Sequence, residues 1–541
     1  MDGGPGYQFA PLVCADGSGG AFVAWYRLID ETSADLVLQR FTAAGDIQPG
    51  WATSGLVVSR ALASHAISED GAGGVFVLSV DAQGDPPGRY RLRHFDGTGQ
   101  IVAGSPPEGR RLSTTETLET GPVLLPDLAG GVFVGWADMQ GGDLNARIQR
   151  FGADCSPYWA AGGVPPRPAF SEQRSTVIAR DGGTGVWVGW IDQGFGMQSR
   201  APSAFEYIRM VHHVRSDGTL DPALPSGGKT IGNFEVYVDL RIVSDDAGGI
   251  YALWNGANAS YTQYGSFVQR LAPNGAASPG WPAQGFVYST QSGRKAVKDG
   301  LGGLMIGTLG YDSATDRYEA RLQRVLPGGT TAGGWGTGGV WLGYQDQFVG
   351  NPTPILDGQG GTIVVWAEEA GSPGEADLVA RRVDHGGPFA APRQEVSVAP
   401  GEQSGHQAVG DGAGGVFVAW NDQRSDEADV YLARVLATNF VAGVAIAPES
   451  IRLSSPRPNP SSAGAEVVLA LPAPLEVSAD IVDVTGRRLR RLHATETLPA
   501  GTHTLRWDGR NDLGQQAPTG VYVLAVRAGG REFSRRLLHV K

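Results

Sequence analysis

The chain has 541 residues, 81 of them glycine and 34 proline, with a net charge of −12. That length exceeds what one hydrophobic core organises, so several cores or a repeat array are required, and the negative charge disfavours nucleic acid as a partner. Two cysteines, Cys14 and Cys155, exclude a disulfide framework, and no apolar run reaches the ~18 residues a membrane-spanning helix needs.

The first residues, Met1-DGGPGYQ, lack a charged segment followed by an apolar one, so no export signal is visible, and the expectation is a leader upstream. From there one pattern recurs eight times: a turn Asp, a Gly pair, then a short apolar run that usually ends in Trp. Examples are Asp16-GSGGAFVAW, Asp127-LAGGVFVGW, Asp246-AGGIYALW and Asp411-GAGGVFVAW. The second glycines, from Gly20 to Gly415, recur at the spacing of toroidal or solenoid repeats.

Each repeat parses into four strands. Strand A is apolar, such as Gln8–Cys14, and the Asp-x-x-Gly-Gly turn reverses the chain. Strand B is β-rich, as in Val416–Trp420, and strand C alternates, as in Asp35-LVLQRF and Asp143-LNARIQRF. A Gly-rich loop follows, often with Trp, then a weak strand D such as Leu56–Ser59 or Phe286–Ser289. This predicts an all-β protein: an eight-bladed β-propeller over 1–447 with repeats of about 54 residues. How the ring closes is open, because Phe440–Ala447 reads as the eighth repeat's own last strand.

Six repeats end strand B in Trp: Trp25, Trp136, Trp190, Trp254, Trp366 and Trp420. These rings are expected to fill the wedges between blades, the sharper alternative being solvent-facing platforms for sugars. Strand C ends in Arg in six copies and in His94 and His213 in the others. Two residues beyond the Trp position stand Asp81, Asp138, Asp192, Glu368 and Asp422, expected on B–C loops. The architectural reading is turn chemistry plus acid–Arg pairs. The functional reading is an acidic ring near the central channel that binds a cation or cationic ligand and, with Phe195, forms a ligand face. Phe195–Phe205 lies in the fourth repeat's insertion and is expected to protrude as a binding loop.

No catalytic constellation, metal site or cofactor is expected: the chain has no HExxH, GxSxG or CxxC. Gly228-Lys229-Thr230 resembles the end of a P-loop, but Ala223 stands where its first Gly belongs. His212 and His213 point to opposite faces of a strand and cannot form one ligand pair.

After Ala447 the Gly-Gly pattern stops. A junction at 448–460 leads to a domain at 461–541 with strand candidates from Glu466–Leu471 to Glu532–Val540, a small β-sandwich. Charge changes sign there too: residues 448–541 hold 13 Lys+Arg against 9 Asp+Glu. Asn459-Pro460, Asp483-x-x-Gly486-Arg487, Trp507-Asp508-Gly509, Gly520-Val521-Tyr522 and the basic, apolar, basic end at Lys541 occur in this order. In these residues the region resembles FlgD/Vpr-type Ig-like domains, similar to type A sorting domains of the type IX secretion system. The repeats likewise resemble uncharacterised propeller segments of secreted bacterial proteins, notably in Trp420-NDQRSDEADVYLARV. The resemblance implies export to the cell surface or medium and contact with secretion machinery. The sequence thus points to a monomeric extracellular or surface protein whose propeller binds or scaffolds a glycan or protein. The alternatives are an extracellular carbohydrate-active enzyme and a purely structural surface-layer component.

Overall fold

The computed structural model describes residues 7–30, 33–60, 62–80, 89–114, 118–140, 142–167, 172–194, 206–235, 239–257, 264–312, 317–336, 338–345, 350–369, 376–384, 393–424, 428–437, 451–453, 456, 459, 461–462, 464–471, 474–498 and 501–540. Among them there are strands and turns and no α-helix. The strands form ten antiparallel sheets, eight before residue 437 and two after 451.

Sheet one runs in chain order through Gln8–Ala15, Ala21–Leu28, Ala34–Phe41 and Leu56–Ser59, matching the expected strands A to D. Sheets two, four, five, six and seven repeat this order. Sheets three and eight have three described strands each, and in sheet three an Ile148–Val164 bridge stands in the place of strand D. The eighth repeat's expected last strand, Phe440–Ala447, falls outside the described residues.

The turn between strands A and B is set by its aspartate. Asp16 Oδ1 accepts the backbone N–H of Ser18 at 2.7 Å and of Gly20 at 2.8 Å, while Asp16 N–H donates to the Gly20 carbonyl at 3.0 Å. The second glycine is required by close approach: a Cβ on Gly131 would lie 2.3 Å from the Phe151 carbonyl oxygen. In the fifth repeat the sequence reading placed this role on Asp246. The structure gives it to Asp245, whose Oδ1 takes Ala247 N and Gly249 N, both at 2.8 Å. Asp246 instead occupies the next turn position with φ 57°, the left-handed slot held by Gly17 or Gly300 in other copies.

Consecutive sheets pack face to face through shared apolar cores. Cys14, Phe22 and Tyr26 of sheet one meet Val75 and Val77 of sheet two, and the succession continues sheet by sheet. Sheet eight then packs on sheet one, with Phe417 and Ala419 against Ala21, Val23 and Trp25. Polar locks accompany this packing. Arg40 Nη1 donates to the Gly97 carbonyl of sheet two at 2.8 Å, and His94 Nδ1 meets the Ala153 carbonyl of sheet three at 2.6 Å. Arg434 Nη1 reaches the equivalent carbonyl of sheet one, Ala43, at 2.8 Å. The eighth-to-first junction therefore uses the bond that joins first to second, and Gln8 N–H to Ala428 O at 2.7 Å adds a backbone contact there.

The last two sheets, Arg452–Leu453 with Ala465–Leu471 and Gly501–Trp507, and Leu475–Asp483 with Arg488–Leu498, Gly520–Ala528 and Arg531–His539, enclose their own core around Leu469, Ile481, Leu505, Trp507 and Leu524. Leu453 belongs to that core, so this module takes in chain from within the stretch expected to be a linker.

Candidate functional site

The strand C cation is placed by register. Antiparallel pairing sets Phe22 opposite Arg40, beside the A–B turn, and the equivalent residues pair likewise in the other sheets. Arg40 accordingly donates through Nε and Nη2 to Asp16 Oδ2, at 3.0 and 2.8 Å. Arg150–Asp127, Arg270–Asp245, Arg324–Asp299, Arg382–Asp357 and Arg434–Asp411 repeat this pair. His94–Asp70 and His213–Asp181 substitute imidazole for guanidinium. Burial would raise the Asp357 pKa, but the Gly361 and Gln359 amides and Arg382 outweigh it and hold it below the usual carboxylate range. His213 sits between Asp181 and Asp221, each at 3.0 Å; burial pulls its pKa down, and the two carboxylates carry it above the ordinary value. Its neighbour His212 is fully buried, with Nδ1 at the His213 carbonyl.

The acids expected on a ligand face are placed otherwise. Asp81, Phe195 and the Phe195–Phe205 loop lie outside the described residues. Asp138, Asp192, Glu368 and Asp422 are in strand B itself, near its end, where B–C loops were expected. Their carboxylates turn inward. Asp138 accepts Arg147 Nε at 3.2 Å, Asp192 accepts Arg167 Nη1 at 2.6 Å, and Glu368 accepts Trp366 Nε1 at 3.2 Å and pairs with Arg393. Asp422 accepts Trp420 Nε1 at 2.8 Å and Arg424 Nε at 2.8 Å. Burial pushes Asp138 and Glu368 above the usual carboxylate range against the pull of their arginines. The six strand-B tryptophans are buried as well, at 2% exposure or less, so they fill wedges and offer no stacking platform.

Two places break the repeat. The first is the rim between sheets two and three. The loop tryptophans Trp51, Trp159 and Trp281 each donate Nε1–H to a carbonyl of the next sheet, at 2.8 to 3.0 Å. Each ring lies against a glycine of that sheet with positive φ, where a Cβ would fall 3.2 Å from Trp51 (at Gly99), 2.6 Å from Trp159 (at Gly218) or 3.1 Å from Trp281 (at Gly329). In sheet two Ser105 takes the tryptophan's place and its bond, to the Ala153 carbonyl at 3.3 Å. The opposing glycine is correspondingly replaced by Cys155, which keeps φ at 58° and is fully buried. Beside this seam opens a cleft of about 510 Å³, lined by Arg91, Glu108, Arg110, Arg111, Gln149 and Pro157 among others. Sequence reasoning also missed the strand C glutamines: Gln39 and Gln149 each bolt the loop by donating to a carbonyl (Ala52, 2.6 Å; Ala160, 2.8 Å) while accepting the next residue's amide.

The second break lies on strand A, the first strand of each sheet, four residues before the turn aspartate. Register fixes these eight positions as one level, each opposite the same point of strand B. Sheets one to four carry Leu12, Ala66, Val123 and Val177 there. Sheets five to eight carry Arg241, Lys295, Thr353 and Gln407. Lys295 Nζ of sheet six meets Gln407 Oε1 of sheet eight at 3.4 Å, passing sheet seven. Burial, then Arg241, lowers the Lys295 pKa from its ordinary value. Burial, then Lys295, pushes His406 down to about 4, and burial brings His65 to about 4 in the equivalent position of sheet two.

In the C-terminal module the motif residues are structural. Asn459 Oδ1 accepts Leu538 N–H at 2.6 Å and its Nδ2 donates to Arg536 O at 3.0 Å, tying it to the last strand. Asp483 Oδ1 caps the turn through Thr485 N and Arg487 N, with Gly486 at φ 83°. Trp507 and Tyr522 pack on each other and on His539, and Tyr522 Oη donates to Pro518 O at 2.7 Å. Asp508 accepts Arg510 N at 3.0 Å, Gly509 has φ 72°, and Gly520 opens the strand that carries Tyr522. Pro460 and Lys541 lie outside the described residues.

Residues 459–532 match the model of the FlgD Ig-like domain, so the C-terminal module is a domain of that kind. No curated protein matches the chain. Among solved structures, a eukaryotic initiation factor is 9% identical over 93% of this chain and 91% of its own, at a TM-score of 0.40. PorZ, a bacterial surface component of the type-IX secretion system of Porphyromonas gingivalis, is 12% identical over 99% and 100%, at 0.19. An exo-beta-1,3-galactanase from Phanerochaete chrysosporium is 10% identical over 67% and 89%, at 0.24. At these TM-scores none of the likenesses bears on activity.

Proposed function

We propose that this is a secreted or cell-surface bacterial protein in which residues 1–447 form an eight-bladed β-propeller that binds or scaffolds a glycan or protein. The C-terminal domain at 461–541, joined through 448–460, directs export or surface attachment in the manner of a type A sorting domain and meets the secretion machinery. The observation that carries this reading is the FlgD Ig-like match over residues 459–532 behind a repeat array. Eight sheets packed in succession, with the eighth bonded to the first through the lock used elsewhere, support the eight-bladed ring. The inward pairing of Asp138, Asp192, Glu368 and Asp422 withdraws these four both from an acidic ligand face and from the pair of carboxyl groups that a glycoside hydrolase turns toward substrate.

The test is quantitative peptide mass spectrometry on cytoplasmic, envelope and medium fractions of native cells, scoring Glu466–Lys541 apart from ring peptides. Ring peptides outside the cell and depleted of the C-terminal domain are expected for a cleaved sorting signal; intact protein outside it fits surface attachment. Intact chain confined to the cytoplasm overturns the reading.

A further inference from the structure

The strand C arginines that clamp the turns of the ring are matched by a carboxylate, while the fully buried Arg209 donates to the Asp239 and Asn255 carbonyls at 2.9 and 2.8 Å. Arg324 is 8% exposed and its Nε and Nη2 both reach Asp299; Arg434 and Asp411, and Arg424 and Asp422, are paired in the same way. This follows from the cost of desolvating an isolated charge. Lys295 departs from it. Its ammonium is half-buried, its hydrogen-bond acceptor is the neutral Gln407 amide at a long 3.4 Å, and among the described residues it has no ion pair. The charged side chain that acts on it is another cation, Arg241, on the neighbouring sheet five.

The position of Lys295 says where a counter-charge would enter. Sheets six and eight both pack against sheet seven, so a side chain of sheet six that touches sheet eight must pass along the inner edge of sheet seven. Lys295 thus lies at the hollow of the ring. Around it stand Arg241, Gln407, Thr353 and His406, the last with Nε2 at Thr353 Oγ1, 3.2 Å. His406 is uncharged at neutral pH. Nearer the turns Lys298 pairs with Asp246 at 2.6 Å, and burial raises the pKa of Glu69 of sheet two against the pull of Arg180 of sheet four. The opposite half of the Lys295 level is apolar, with Leu12, Ala66, Val123 and Val177.

We propose that this half-ring is an anion-binding site, in which Lys295 and Arg241 supply the charge and Gln407 a hydrogen-bonding amide for one carboxylate- or phosphate-sized group. A bound oxyanion supplies the counter-charge that the protein omits, and two cations with amide and hydroxyl neighbours suit its several acceptor atoms. The apolar half leaves room for an uncharged remainder of the same ligand. The site goes beyond the proposed role, because it binds whether or not the chain is exported.

The experiment is isothermal titration of the full chain with inorganic phosphate, acetate and D-glucuronate, each at constant ionic strength in chloride. Saturable one-site binding of at least one probe is expected, weakened tenfold or more by Lys295→Met. Phosphate binding alone identifies a phosphate group as the ligand's anion, and glucuronate or acetate binding a carboxylate. Should Lys295→Met fail to fold, Arg241→Gln, at an exposed residue, carries the same expectation. In parallel, the NMR titration midpoint of the Lys295 side chain should rise when the bound probe is present. No saturable heat with any of the three probes, or unchanged affinity in a folded variant, overturns the proposal.

Discussion

At the turn end of each ring sheet a carboxylate holds two amides and one strand C side chain, arginine in six copies and histidine in two. Four residues upstream on the same strands, half the copies are aliphatic and half are polar or cationic, and one ammonium there has no counter-ion among the described residues. The first place is needed by every sheet to close its turn and clamp strand C, so substitution there damages the sheet itself. The second contributes little to any one sheet, which frees it to vary. A ring of repeats thus separates residues that build it from residues available for use.

Removing the turn carboxylate should have the largest effect. Asp299→Ala leaves Arg324 buried without its partner and frees the Leu301 and Gly303 amides. Breaking such a pair costs about 3–5 kcal/mol, so the thermal transition of the ring should fall by many degrees in calorimetry. Asp299→Asn keeps an oxygen for the amides and should fall less. Lys295→Met should behave in the opposite sense, unchanged or slightly more stable without anion, because it removes an unpaired charge. Equal losses at both positions would erase the distinction between the two levels.

Acid should expose the next difference. His65, just before strand A of sheet two, and His406, in strand A of sheet eight, sit at equivalent points, and burial holds both at about 4, with Lys295 adding to the effect at His406. Their folded values lie below the unfolded value of 6.5, so the unfolded chain binds the proton first. Their contribution is complete above about pH 6.5 and is lost as pH falls toward 4. One pK unit corresponds to about 1.4 kcal/mol, giving ~3 kcal/mol per histidine. His213 has the opposite sign: its raised value adds stability below its unfolded value that is lost as pH rises through its folded one. The denaturant midpoint should drop between pH 6.5 and 4.5, and a His65→Gln/His406→Gln chain should flatten that slope. An unchanged slope would mean the two rings are not neutral in the folded state.

How far these levels were legible depends on what the repeat displays. The turn Asp and Gly pair stand at fixed spacing, and their geometry follows from it; counting four residues back from the second glycine selects Asp245 over Asp246. Which acid each strand C arginine takes was open from sequence, and antiparallel register answers it by setting Arg40 beside the turn. Asp138 and Asp422 were readable as acids two residues after Trp, but strand B extends far enough to keep them in the wedge beside Trp136 and Trp420. The Lys295 level was hidden because Leu12 and Val123 look like ordinary strand residues, and because Lys295 and Gln407 are 112 residues apart. In the C-terminal module Trp507, Tyr522 and the Asp483 turn carried their meaning in sequence, since each acts on near neighbours or a common core.

The rim seam gives the smallest effect and the most specific one. Three loop tryptophans face glycines, whereas Ser105 faces Cys155, and the two exchanges occur together at one junction. Ser105→Trp alone should drive an indole into the space Cys155 fills, an overpacking that costs about 1–3 kcal/mol. Cys155→Gly alone should open a small void while relieving a side chain held at φ 58°, where non-glycine residues carry about 1–2 kcal/mol of strain. Its net change should therefore be near zero. The double variant recreates the pairing of Trp51 with Gly99 and should recover most of the loss, so the cycle of single and double variants should show stabilising coupling. Strict additivity would mean that the two residues do not share one space, and the seam would then owe its divergence to the arginine-lined cleft beside it.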